Sequence, residues 1–179
     1  MTEARLVPGE DGGQIPEGGG WFVLNAKDAR WLDGTLGQYC AWEGKDAARF
    51  TQLGINLNVL QPGVPMAMYH RENAQEDFLV LDGECIAIVE GEERRLKRWD
   101  LLHCPPNVPH VVVGAGDRPA LVLAVGARLE GVDNDLVYPA DSVAQRHGAG
   151  VQVETSDAKE AYAGMTHAWT SYQEGWLPG

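Results

Sequence analysis

The chain has 179 residues, of which 44% are hydrophobic and 22% charged, and a formal net charge of −12; that length is enough to bury the core of one domain. The acidity opposes nucleic acid and anionic membrane surfaces, since both are met with clustered Lys and Arg. No apolar run approaches the ~20 residues of a membrane helix, no N-terminal segment has the form of a secretory leader, and Cys40, Cys85 and Cys104 are an odd set without a CxxC pair. The sequence therefore predicts a cytoplasmic protein with reduced thiols, not a disulfide framework or a Cys-rich zinc site.

Residues 1–20 hold six Gly and few large apolar residues and read as a flexible tail. A single domain is expected from Trp21 to the end. "WFVLN", "QYCAWEG" and "RFTQLGINLNVL" read as short strands, being β-branched or aromatic runs broken by Gly, Asp and Lys. "FLVLDGECIAIVEGEERRLKRWDLLHCPP" continues the pattern, with Asp82-Gly83 and Glu90-Gly91 as tight turns. "HVVVGAGDRPALVLAVGARL" adds two strands about a Gly/Asp/Pro turn. Short strands at this spacing, without helices between them, predict an all-β antiparallel sandwich or barrel. Short helices are expected only late, over "DSVAQRHG" and over "SDAKEAYAG", the latter with Ser156 as N-cap and Gly164 as stop. Trp169, Tyr172, Trp176 and Leu177 in the tail are expected to pack across the barrel or a subunit neighbour.

The chemistry concentrates in "PGVPMAMYHRENAQEDFLVLDG". If "MAMYHRE" is a strand, its period of two puts Met66, Met68, His70 and Glu72 on one face and Tyr69 and Arg71 on the other. Glu76, Phe78 and Val80 share a face of the next strand. His70, Glu72 and Glu76 would then converge at one end of the barrel, above a lining of Met66, Met68, Phe78 and Val80. Carboxylates against an apolar face need compensation, and a divalent cation supplies it, because it favours ionised carboxylates and neutral imidazole. A distant ligand would complete the set. His110, with Val112 on its face, is the leading candidate, and His103 in the preceding strand competes with it. Cys104 is an outside candidate as a soft ligand, Cys85 is expected to be inert packing, His147 reads as a structural residue near a helix end, and His167 has no evident partner.

These residues resemble the two motifs of the cupin superfamily. In the first, Gly63, Glu76 and Gly83 match and His70 stands at the first His. In the second, "DLLHCPPNVPH", Pro105 and His110 match. The resemblance covers roughly residues 55–128, leaving a C-terminal extension over 129–179. It implies a double-stranded β-helix, a jelly-roll-like barrel, often dimeric, with one metal ion held by the motif residues. The chain departs from the pattern at Glu72, which replaces the second His, and at Trp99, Asn107 and Gly114. With His70, Glu76, His110 and Glu72, the donor set is oxygen-rich and suits Fe, Mn, Ni or Zn rather than Cu(I). Glu72 stands either as a ligand or as a general base. The expected function is a metal-dependent small-molecule enzyme, oxygenase-like or isomerase/lyase-like, working as a homodimer with a partly apolar ligand. A non-catalytic binding or sensor protein and a structural module are the alternatives.

Overall fold

Alternating β-branched, aromatic and polar residues favour pleated, half-buried strands over helices through most of the chain. The structure is a computed structural model that describes residues 2–129 and 135–178. In chain order its strands are β1 (Arg5–Pro8), β2 (Gln14–Glu17), β3 (Arg30–Gly34), β4 (Gly37–Ala41), β5 (Leu53–Leu60), β6 (Glu76–Asp82), β7 (Glu84–Val89), β8 (Glu92–Lys97), β9 (Leu101–Cys104), β10 (His110–Ala115), β11 (Ala120–Ala127) and β12 (His167–Ser171). Two short helices, α1 (Ser142–Arg146) and α2 (Ala158–Ala161), lie in the C-terminal region.

One antiparallel sheet has the order β12-β3-β4-β5-β11-β6-β9 and a second the order β10-β7-β8. Their inner faces meet in a core where Leu60, Phe78, Val80 and Val122 pack with Cys85 and Val112. This is the all-β double-stranded β-helix expected from the sequence; among the described residues its α-helices are confined to the C-terminal part, and one 3-10 turn lies at Asp46–Ala48. Both predicted tight turns form, but they do different work. Glu90-Gly91, with φ of 50° and 74°, closes the β7–β8 hairpin as a left-handed pair. Asp82-Gly83 instead carries the chain from the larger sheet to the smaller. At Gly83, φ is 73° and an added Cβ would lie 2.7 Å from the Ala120 Cα, so glycine is required at this corner.

The outer face of the larger sheet is not left to solvent. Trp31, Cys40, Leu57 and Val59 form a second core that Tyr172, Trp176 and Leu177 of the C-terminal segment cover. Trp31 is fully buried, donates its indole N–H to the Ala26 carbonyl at 2.8 Å, and packs 5.2 Å from the Trp176 ring. The tail aromatics thus pack across the barrel. Outside the smaller sheet, Tyr69, Ile88, Val111 and Val113 pack under Ala144 and Ala149.

Several expectations are corrected. Residues 5–8 and 14–17, read as part of a flexible tail, pair as a β1–β2 hairpin. "WFVLN" forms no strand, and the strands β3 and β12, read from no motif, pair with each other. Asp157, not Ser156, caps α2, accepting from the Lys159 N–H. The largest correction concerns "MAMYHRE", which is not a continuous strand. Its backbone changes partner along its length: Met66 N–H donates to Val112, Tyr69 N–H to Ala149, and Arg71 N–H to Val137. Alternation therefore fails there. Tyr69 does lie on the outer side of the smaller sheet, but it is buried there beneath Ala144 and Ala149, and its hydroxyl accepts from the Gly91 N–H at 3.1 Å.

Truncating Trp31 removes the centre of the second core. Trp31→Ala is expected to lower unfolding stability by about 3–5 kcal/mol, read as a shifted midpoint in urea denaturation; a loss below about 1 kcal/mol would mean that the C-terminal aromatics do not dock on this sheet.

Candidate metal centre

His70 and His110 form an isolated antiparallel bridge, exchanging backbone hydrogen bonds of 3.2 and 2.8 Å. Side chains of directly opposed residues lie on one face, and the two imidazole rings accordingly stand 5.0 Å apart. Glu76 enters from β6, opposite Gly126 of β11. A side chain at Gly126 would start 3.4 Å from the Glu76 Oε1, so the glycine gives the carboxylate room.

The protonation pattern follows from backbone acceptors. Nδ1 of His70 lies 2.7 Å from the Met68 carbonyl oxygen, and Nδ1 of His110 lies 2.9 Å from that of Val108. A carbonyl only accepts, so each Nδ1 donates and the neutral ring presents a lone pair at Nε2. Those two Nε2 atoms stand 3.2 and 3.0 Å from the same Glu76 oxygen, Oε2. The Nε2 of His110 is buried and has no aligned hydrogen-bond partner despite that proximity. Two imidazole lone pairs turned on a carboxylate oxygen repel unless a proton or a cation lies among them. The three ligand atoms fall within 4.8 Å of one another. Donor atoms 2.0–2.2 Å from a shared ion stand about 3 Å apart at right angles, so the residues present fit a divalent metal ion. Burial pushes the Glu76 carboxyl up, but the facing imidazoles of His110 and His70 outweigh it and hold it down to about 2. At His70 burial opposes the charged ring, and the Glu76 carboxylate, with Glu72 further off, overrides it and raises the pKa.

The other sequence candidates are placed differently. Glu72 is not part of the three-residue group; its backbone carbonyl accepts from Asn107 at 2.7 Å, and its charge is felt at His70 and Tyr138. His103, the competitor of His110, is exposed and paired with Asp77 at 2.6 Å. Cys104 lies in the barrel core, and burial pushes its thiol and those of Cys40 and Cys85 up to about 12, which suits packing and not ligation. His147 follows α1 and contacts Glu93 at 3.0 Å. His167 lies in β12 opposite Gly34.

A cavity of about 180 Å³ opens onto the group. Met66, Phe78 and Val112 line it. Val80 does not; it is fully buried in the barrel core behind them. Met68 does not either, because the irregular segment turns it outward to pack with Tyr138 and Ala161 under the C-terminal helices. Tyr39, Asn56, Asn58 and Ala124 complete the wall and were not foreseen. The signal for the asparagines is present in "GINLNVL": Asn56 and Asn58 alternate with apolar residues, which puts two amides on one face of a buried strand. Tyr39 is the register partner of Asn58 across β4–β5, a pairing only the sheet reveals.

No curated protein matches the chain. Solved structures do. A predicted oxalate decarboxylase from Thermotoga maritima is 18% identical, covering 60% of this chain and 99% of its own, with a TM-score of 0.53. The polyketide cyclase RemF from Streptomyces resistomycificus is 11% identical over 62% of this chain and 81% of its own, with a TM-score of 0.51. A putative sugar phosphate isomerase from Acidithiobacillus ferrooxidans is 22% identical over 56% of this chain, with a TM-score of 0.48, and the match spans 64% of that protein, less than two thirds of its length. At these identities the likeness is one of fold, and fold does not fix function. Residues 56–126 match the family described as the cupin domain, and that match, the β-helix and the paired motifs support a cupin-superfamily domain over this part of the chain.

Proposed function

We propose that this chain holds one divalent metal ion at His70, Glu76 and His110 and acts as a metal-dependent small-molecule enzyme, of the oxygenase-like or isomerase/lyase-like kind. The observation that carries the reading is the Nε2 of His110, buried without an aligned hydrogen-bond partner and converging with the His70 Nε2 on one Glu76 oxygen. Two imidazoles and one carboxylate on one side of an ion leave coordination positions for a ligand. When bound, such an ion supplies a Lewis acid that polarises a ligand oxygen.

The chain's own residues provide the surroundings. The Met68 and Val108 carbonyls fix both imidazoles in the tautomer that presents Nε2. Phe78, 5.3 Å from the His110 ring, and Val112 keep the inner wall dry. Asn56, Asn58 and Tyr39 offer hydrogen bonds to the polar edge of a ligand. Among the described residues that wall contains no Lys or Arg, which disfavours a phosphorylated substrate, since phosphate is held by cationic side chains. Glu72, two residues after His70 and outside the three-donor group, is assigned the role of proton acceptor and not of a metal ligand.

Metal analysis of purified protein tests the ligand set. Wild type is expected to carry about one divalent ion per chain, and His70→Ala and His110→Ala less than about a tenth of that. Glu72→Gln and His103→Ala are expected to keep it. Unchanged content in both alanine variants would sink the reading; loss in the glutamine variant would make Glu72 a ligand.

Stability offers an independent check. An ion at one hundred times its dissociation constant stabilises the fold by about 2.7 kcal/mol, so chelation is expected to lower Tm by roughly 5–10 °C for a chain of this length, with Glu76→Ala showing no such drop. Equal sensitivity to chelator in wild type and variant would place the bound ion elsewhere.

A further inference from the structure

Beside the metal cavity lies a larger one, of about 380 Å³, between the β3–β4 turn and the segment joining α2 to β12. Its wall is built mainly from Leu32, Leu36 and Met165, with Tyr162. Among the described residues it carries no Asp, Glu, Lys or Arg; its one imidazole is the exposed His167, and Leu32, Leu36 and Met165 offer an apolar surface to a hydrocarbon. Two residues, Tyr39 and Met66, line both cavities and form the threshold between them. Tyr39 is braced by an edge-on contact with Trp169 at 5.8 Å. Met66 is pinned through its backbone N–H to Val112 at 2.8 Å, while its thioether remains free to adapt to what passes.

Apart from Met66, every wall residue lies outside the matched domain at 56–126. The wall is held closed where the C-terminal strand joins the N-terminal one. Thr35 N–H donates to the Thr166 carbonyl at 3.0 Å, and Thr166 N–H to the Thr35 hydroxyl at 3.1 Å. A side chain at Gly34 would begin 2.3 Å from the Thr166 oxygen, so that glycine permits the close approach.

We infer that the two cavities are one binding site for an amphipathic ligand. Its oxygen-bearing head chelates the ion beside His70, Glu76 and His110, and its apolar tail passes Tyr39 and Met66 into the compartment walled by Leu32, Leu36 and Met165. The inference rests on the metal reading above and adds the ligand class. The larger volume, which holds no carboxylate, Lys or Arg, takes the part of the molecule that carries no charge, and the smaller one, which holds the three donors, takes the part with oxygen atoms.

Calorimetric titration of metal-loaded protein with alkyl hydroxamates of increasing chain length, from acetohydroxamate to octanohydroxamate, tests it. Each added methylene that enters the compartment is expected to tighten binding by about three- to fourfold. Leu36→Trp and Met165→Trp fill the space from opposite walls, and loss of the length dependence in either supports the assignment. Affinity independent of chain length in wild type, or an undiminished length dependence in both tryptophan variants, overturns it. The two readings fail separately. If acetohydroxamate does not bind but octanohydroxamate does, with the expected length dependence, the compartment stands and the metal site falls. If acetohydroxamate binds and length makes no difference, the metal site stands and the compartment falls. If no hydroxamate binds, both fall.

Discussion

The site depends on where two protons are put. The Nδ1 atoms of His70 and His110 each donate to the carbonyl two residues earlier, Met68 and Val108. That choice leaves both Nε2 lone pairs facing inward, at the ends of rings set side by side by a mutual backbone bridge. Glu76, half-buried on β6, completes an arrangement that is electrostatically unfavourable with neutral rings and nothing between them, and favourable around a cation. The backbone carbonyls fix the two imidazoles, so turning the rings cannot remove the conflict without giving up those hydrogen bonds. This is why the geometry itself, and not the residue types alone, argues for an ion.

The same constraint explains which parts of the site were legible in the sequence. His70, Glu76 and His110 could be read because motif spacing and an apolar run fix their place on strands. Glu76 in particular starts a strand whose alternation holds, through Phe78 and Val80. The neighbouring set failed where the segment 66–72 is not held by one partner strand. Each backbone group there bonds to a different element, so side chains two apart need not share a face. Met66 turns into the barrel and Met68 turns out of it, while Tyr69 keeps the outer face but is covered by the C-terminal segment. Val80 was assigned the correct face but the wrong depth, because period gives direction and not distance from a cavity. The β-class and the β7–β8 turn were likewise readable from local pattern, whereas β12 was not. As an edge strand with polar positions it is specified by its partner β3 and not by its own alternation.

Two kinds of information therefore build the molecule. Residues 56–126 supply the barrel and the three converging donors, and their placement follows from local spacing and turn chemistry. The chain before and after that domain contributes long-range packing instead. Trp31 is covered by Tyr172 and Trp176, and Tyr39 is braced by Trp169. The Tyr162 hydroxyl accepts from the Met68 backbone N–H at 3.3 Å. Such contacts have no sequence period, so they emerge only with the fold.

The last of those contacts ties the two kinds together. Met68 presents its carbonyl to the His70 Nδ1 and its N–H to Tyr162, so the residue that orients one imidazole is itself held by the C-terminal extension. Tyr162 also lines the apolar compartment. On the proposed reading, a ligand tail in the compartment would touch Tyr162, whose hydroxyl holds the residue that orients the His70 ring. In a barrel whose interior is close-packed, this short path gives a physical reason for head and tail of one ligand to be recognised together. The matched domain alone, without residues 32–39 and 162–167, would keep the donors but lose both the compartment and one support of the imidazole.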